Sequence, residues 1–170
     1  DTSKNLTLNE WLSVLKQPEK MNYWIDFKNL SEKNVESSMI ILDNLNEKYG
    51  FKDNAFVESK NLKVLKIVKE HGFRTLLWVE NIKYWKRKEH KDSVYLAKMI
   101  RNQIKELNPD AISCEYSMYP FLCDSFPEQN IHFWDTPKDF TPENVDFTKE
   151  LCNNKSVKVV LVDYPTPDIF

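Results

Sequence analysis

The feature that most constrains this chain is a repeat of strand then helix, in which nearly every β-prone run closes on a carboxylate. The runs are Tyr23-Trp24-Ile25-Asp26-Phe27-Lys28, Ala55-Phe56-Val57-Glu58-Ser59, Thr75-Leu76-Leu77-Trp78-Val79-Glu80, Ala111-Ile112-Ser113-Cys114-Glu115-Tyr116, Ile131-His132-Phe133-Trp134-Asp135 and Val157 to Asp163. Between them lie helix-length segments. Val35, Met39, Leu42, Leu45 and Tyr49 recur at helical spacing before Gly50; Leu62, Leu65 and Val68 do so before His71-Gly72; and Leu96, Ile100, Ile104 and Leu107 do so before Asn108-Pro109. Thr7, three residues before Glu10, forms a capping-box pattern, so a first helix is expected to carry Trp11, Leu12 and Leu15 toward a core. Strands that are apolar on both faces and separated by helices predict a parallel sheet covered by helices, an α/β fold. About six strands are visible, whereas a closed β/α barrel has eight and about 250 residues. The sheet is therefore open and doubly wound, or a barrel with strands missing from this chain.

With 170 residues, 41% of them hydrophobic and 29% charged, the chain is expected to fold as one domain spanning 1–170. The formal net charge of −2 provides no global basic field, so a nucleic-acid partner is not expected. No apolar run reaches membrane-spanning length, so no transmembrane segment is expected either. Only two glycines occur, Gly50 and Gly72, and both follow helices. A glycine-rich phosphate loop is thereby excluded. Cys114, Cys123 and Cys152 match no zinc spacing and are expected to be small buried apolar residues.

Parallel α/β sheets bind ligands beyond the carboxyl ends of their strands. Asp26, Glu58, Glu80, Glu115, Asp135 and Asp163 stand at those ends. Singly, such acids are what a strand meeting water carries, and they can cap the next helix. Converging on one mouth, they would repel unless a cation were bound, and a divalent ion such as Mg²⁺ or Ca²⁺ suits oxygen ligands. Asp26-x-Lys28 stands out, because an acid and an ammonium two residues apart on a strand share a face and can hold a metal and a phosphate oxygen side by side. A plain surface ion pair is the other reading. Trp134 can wall a pocket or pack in the core. The segment from Lys83 to Lys91 mixes bases with aromatics, as an anion contact or a solvated loop would. His71, His90 and His132 occupy no visible strand-end position beside the acids.

Leu6-Thr7-Leu8-Asn9-Glu10-Trp11-Leu12, followed by Trp24-Ile25-Asp26-Phe27-Lys28, resembles the T-L-x-E-x-L … E-x-K stretch of the glycerophosphodiester phosphodiesterases. His132-Phe133-Trp134-Asp135-Thr136 and Val160-Leu161-Val162-Asp163-Tyr164-Pro165 are similar to that family's closing strands, in the same order along the chain. The resemblance implies a TIM-type (β/α)8 barrel of the phospholipase-C-like superfamily. It also implies hydrolysis of a small-molecule phosphodiester with a divalent metal held by carboxylates and two histidines as acid and base. Asp26 matches the metal-ligand glutamate of E-x-K, Lys28 its catalytic lysine, and Trp134 the aromatic of the penultimate strand. Glu58, Glu115 and Asp163 are expected to line the substrate pocket with Trp134. Two departures stand: the acid of E-x-K is the shorter Asp26, and the His-Arg-Gly and Glu-x-Asp strands of the family do not occur in this chain. The expectation is a C-terminal three-quarters of the barrel, inactive by itself. The family favours a periplasmic or extracellular location. The alternative is a non-catalytic binding module of the same superfamily, because Leu8-Asn9-Glu10-Trp11-Leu12 and Asp26-Phe27-Lys28 are also similar to the menorin group.

Overall fold

A computed structural model of the chain describes residues 6–81, 92–135 and 141–162. It divides into two compact units, residues 1–75 and 76–170. The first unit contains α1 (Leu8–Val14), β1 (Tyr23–Asp26), α2 (Val35–Tyr49), β2 (Ala55–Ser59) and α3 (Leu62–Glu70), and ends as β3 (Arg74–Trp78) begins. The second contains the rest of β3, then α4 (Ser93–Leu107), β4 (Ala111–Glu115), α5 (Tyr119–Ser125), β5 (Ile131–Asp135), α6 (Pro142–Asn153) and β6 (Val157–Val162). Within the first unit β1 pairs with β2; within the second β3 pairs with β4, β4 with β5 and β5 with β6. Each of these pairs is parallel and joins consecutive strands, as strand-helix-strand units require.

The helix ends follow from their capping residues. Thr7 and Glu10 form the expected capping box, with Glu10 N–H donating to Thr7 Oγ1 at 3.2 Å and Thr7 N–H to Glu10 Oε2 at 2.8 Å. Of the three residues expected to face the core from this helix, Leu12 is buried, Leu15, the C-cap, is partly buried against the core cluster, and Trp11 is exposed on one side while its ring meets the buried Tyr23 edge-to-face at 5.7 Å. Gly50 closes α2 with φ +66°, and Asn108 closes α4 with φ +47°. Both are left-handed caps, their N–H groups donating to the carbonyls of Asn46 and Ile104 at 2.7 Å, a conformation without steric penalty for Gly and with a small one for Asn.

In the first unit, alternate strand residues Tyr23, Ile25, Ala55 and Val57 pack with Met39 and Leu42 of α2 and Val64 and Val68 of α3. Tyr23 and Phe51 meet edge-to-face at 5.3 Å between ring centroids. In the second unit Leu77, Ile112, Cys114, Ile131 and Phe133 are buried, and Tyr119 of α5 meets Phe133 edge-to-face at 5.7 Å, which identifies their face as the helix-covered one. The cysteines differ from expectation. Cys114 alone is fully buried; Cys123 is half-buried on α5 and Cys152 exposed on α6. Burial follows strand or helix face, and only Cys114 has a position on the core face of a strand.

Candidate functional site

Strand register decides which acids share a face, because side chains alternate along each strand and in-register neighbours point to the same side. Asp26 is paired in register with Glu58, and Trp24 with Phe56. Since Tyr23, Ile25, Ala55 and Val57 are in the helix-packed core, Asp26 and Glu58 stand on the opposite face, at the carboxyl ends of their strands. Glu58 is buried and Asp26 exposed.

β1 ends at Asp26, so Lys28 lies past the ladder rather than within it. Its ammonium nonetheless sits 2.5 Å from Asp26 Oδ2, with side-chain exposures of 68% for Lys28 and 45% for Asp26. Pairs this exposed add little to stability. Their placement at a strand end is what gives them interest. Asp26 Oδ1 accepts no hydrogen bond from the described residues. Asp26 also borders a cavity of about 310 Å³, but apart from Ser38 its other walls, among them Leu8, Ile25 and Leu42, are apolar. That cavity suits no phosphate.

In the second unit Trp78, Ser113 and His132 are in register on one face, followed two residues later by Glu115, Trp134 and Leu161. Glu115 therefore stands beside Trp134, both half-buried at the carboxyl ends of β4 and β5. Glu115 Oε2 accepts hydrogen bonds from Asn81 Nδ2 and, at 2.8 Å, from Ser117 Oγ. The Val79 N–H to Ser113 carbonyl bond, 2.8 Å, extends the β3–β4 ladder past Trp78 and brings Asn81 alongside Glu115. Neither Asn81 nor Ser117 stands out in the sequence. A polar residue one or two positions past each strand-end acid is the only signal that could have drawn attention to them.

The six acids do not behave as one set. Asp135 has the parity of Phe133 and is buried, so it points to the helix-covered side, away from Glu115 and Trp134. Glu80 lies two residues beyond the end of β3. Asp163 and the basic segment from Lys83 to Lys91 lie outside the described residues. Among the described residues no three His, Cys, Asp or Glu side chains gather to hold a metal by themselves. Asp26 and Glu58 are oxygen donors of the kind a hard cation takes, in register on one face. They fit as two ligands of such an ion, which commonly keeps several waters.

Another polar cluster escaped the sequence reading. Asp43 on α2 accepts from Lys52 Nζ, and His71 Nδ1 lies 2.6 Å from Asp43 Oδ2. Lys52 Nζ also donates to the His71 carbonyl at 2.9 Å. Burial raises the Asp43 carboxyl, but the hydrogen bonds and charges of Lys52 and His71 outweigh it and hold the group below the usual range. These residues tie α2 to the end of α3 and lie before β2 and β3 in the chain, away from the carboxyl ends of the strands.

No helix among the described residues is long and apolar enough to cross a membrane. No protein-family model matches the chain, and no curated protein does. Solved structures do. A protein from Galdieria sulphuraria described as a glycerophosphodiester phosphodiesterase matches 85% of this chain at 14% identity, with a TM-score of 0.56. A protein from Silicibacter pomeroyi described as a glycerophosphoryl diester phosphodiesterase matches 79% at 8% identity, with a TM-score of 0.51. This chain spans about half the length of each, 54% and 43% respectively. The likeness shows the fold: the described residues carry six strands of a TIM-type β/α barrel similar to that of the glycerophosphodiester phosphodiesterases.

Proposed function

We propose that this chain is part of a metal-dependent phosphodiester hydrolase acting on glycerophosphodiesters or related headgroups. The observation that carries the reading is Asp26 at the end of β1, with Lys28 bound to one carboxylate oxygen and Glu58 in register beside it. Asp26 and Glu58 would hold the divalent cation, Mg²⁺ or Ca²⁺. When bound, that ion supplies Lewis-acid stabilisation of phosphoryl charge. Lys28, long and mostly exposed, would exchange part of its contact with Asp26 for a phosphate oxygen and stabilise negative charge as it develops there. Trp134 and Glu115, side by side at the ends of β5 and β4, would contact the alcohol group of such a substrate. No proton-transfer role is assigned to a residue of this chain.

The test is turnover of sn-glycero-3-phosphocholine by the full-length protein, with and without added Mg²⁺ or Ca²⁺. Asp26→Ala is expected to lower kcat/KM by at least about a hundredfold, and Lys28→Ala by a similar factor, the usual size for losing a group that stabilises transition-state charge. Unchanged turnover in Asp26→Ala would overturn the assignment. Absence of turnover with either metal would favour a non-catalytic binding module resembling the menorin group.

A further inference from the structure

Glu115 is held in a manner that charge alone does not require. Asn81 Nδ2 donates both to Glu115 Oε2 and, at 2.7 Å, to Ser117 Oγ, while Ser117 Oγ donates to the same Oε2 at 2.8 Å. Three side chains thus close a ring of hydrogen bonds that uses both amide hydrogens of Asn81 and the only hydrogen of the serine hydroxyl. All of it converges on one oxygen. A carboxylate offers about four acceptor positions over two oxygens. Oε2 takes two hydrogen bonds, and Oε1 takes none from the described residues. The ring fixes the plane of the carboxylate, and so fixes the direction of the lone pairs on Oε1.

A fixed lone-pair direction matters for a hydrogen bond and little for a point charge, since Coulomb attraction depends on distance rather than orientation. The carboxylate repels a phosphate. A quaternary ammonium has no hydrogen to donate. A hydroxyl has one, and the Trp134 ring on the neighbouring strand, in register with Glu115, offers an apolar surface for the carbon skeleton bearing that hydroxyl. The position, at the carboxyl ends of β4 and β5, is where parallel sheets of this kind take their ligands.

We infer that Glu115 Oε1 accepts a hydrogen bond from a hydroxyl of the alcohol portion of the ligand, and that Asn81 and Ser117 are positioning residues that orient it. This rests on the phosphodiester reading above for its substrate class. It assigns recognition of the alcohol portion to Glu115, Asn81 and Ser117.

The experiment uses the full-length protein with glycerol 3-phosphate, methyl phosphate and phosphocholine as probes. The Asn81 side-chain amide resonances are expected to move with glycerol 3-phosphate and to stay in place with the two probes that lack a polyol. Asn81→Ala and Ser117→Ala should each weaken glycerol 3-phosphate binding about tenfold, the usual effect of one hydrogen bond to a charged group, and leave methyl phosphate unaffected. Ser117→Thr, which keeps the hydroxyl, should restore binding. In turnover, the alanine variants should raise KM for sn-glycero-3-phosphocholine with kcat little changed, and leave bis(4-nitrophenyl) phosphate hydrolysis unaltered. Equal losses on all probes would mean a purely structural ring and overturn the inference. So would an amide response to phosphocholine instead of glycerol 3-phosphate, or no binding of glycerol 3-phosphate. If no phosphodiester is hydrolysed but the selectivity for glycerol 3-phosphate holds, the hydrolase reading fails and the hydroxyl subsite stands.

Discussion

Replacing Asp43 by asparagine should destabilise the fold by an amount that vanishes in acid. Asp43 is the hub joining α2, through Lys52, to the C-terminal cap of α3 at His71. Asparagine keeps the shape and removes the charge that both partners meet. Hydrogen bonds to charged groups contribute about 1.5–3 kcal/mol and exposed ion pairs about 0.2–1 kcal/mol. With side-chain exposures of 31% for Asp43 and 24% for Lys52 and His71, the cluster lies between those limits. The loss should be about 1–2 kcal/mol in total, because Lys52 retains the His71 carbonyl and its place 4.8 Å from the Phe73 ring centroid. For a chain of this size that lowers Tm by about 2–8 °C.

The pH dependence follows from the direction of the shift. The folded Asp43 carboxyl titrates below its ordinary value, despite burial, because Lys52 and His71 favour the charged form. Its contribution is therefore complete above the unfolded value of about 3.9 and is lost as pH falls through the lower folded one. Glu32, held down by hydrogen bonds from Asn61 and Lys63, and Glu10, held down by Thr7, also lose stabilisation in acid. The difference between wild type and Asp43→Asn isolates the one group. Urea unfolding midpoints of the two proteins, measured from pH 7 to pH 3, should differ most at neutral pH and converge below about pH 4. A difference that stays constant down to pH 3, or none at pH 7, would refute the account.

Three other outcomes are expected. Leu12→Ala removes the one buried side chain of α1 and should cost about 2–5 kcal/mol, read as a lower urea midpoint; a loss under about 1 kcal/mol would mean that α1 is not anchored there. Gly50→Ala places a Cβ at φ +66° and 3.3 Å from Glu19 Cβ, so it should destabilise by about 1 kcal/mol or more, whereas alanine within a regular helix would stabilise. Toward iodoacetamide near pH 8 the cysteines should react in the order Cys152, Cys123, Cys114, followed by mass mapping. Cys152 is exposed, Cys123 is pushed up to about 11 by burial and the Asp124 charge, and Cys114 is fully buried.

What the sequence could reveal divides by distance along the chain. All six strands and the helices over Val35–Tyr49, Leu62–Glu70 and Ser93–Leu107 were legible because hydrophobic periodicity and caps are local signals. Strand ends were less so. β1 and β3 each stop two residues short of the apolar run, since hydropathy does not record where a neighbouring ladder ceases. The Asp26 and Lys28 pair was visible because the two are close in sequence. Asn81 and Glu115, 34 residues apart, meet only through the pairing of β3 with β4, and His71 and Asp43, 28 apart, only through helix packing. No spacing rule reaches such partners.

The strand-end acids show the consequence most directly. Read as a row, Asp26, Glu58, Glu115 and Asp135 look equivalent, but a shift of one residue reverses the face. Asp26 and Glu58 are in register, whereas Glu115 is in register with Trp134 and not with Asp135. In β6, Val157, Val159, Val160, Leu161 and Val162 leave no alternation to say which side faces what. There the face is set by a register shift. Ile131 pairs with Val157 but His132 with Val159, so Lys158 is one extra residue in the ladder. A ladder running on from Ile131 and Val157 with no shift would pair Trp134 with Val160 instead of Leu161. The residues that share the Glu115 and Trp134 face on β6 are thus chosen by a bulge. Deleting Lys158 should remove the bulge and keep Val159 to Val162 on their present faces, because the same β5 partners then follow without a break; an exchange of accessibility between single cysteines at 160 and 161 would refute this.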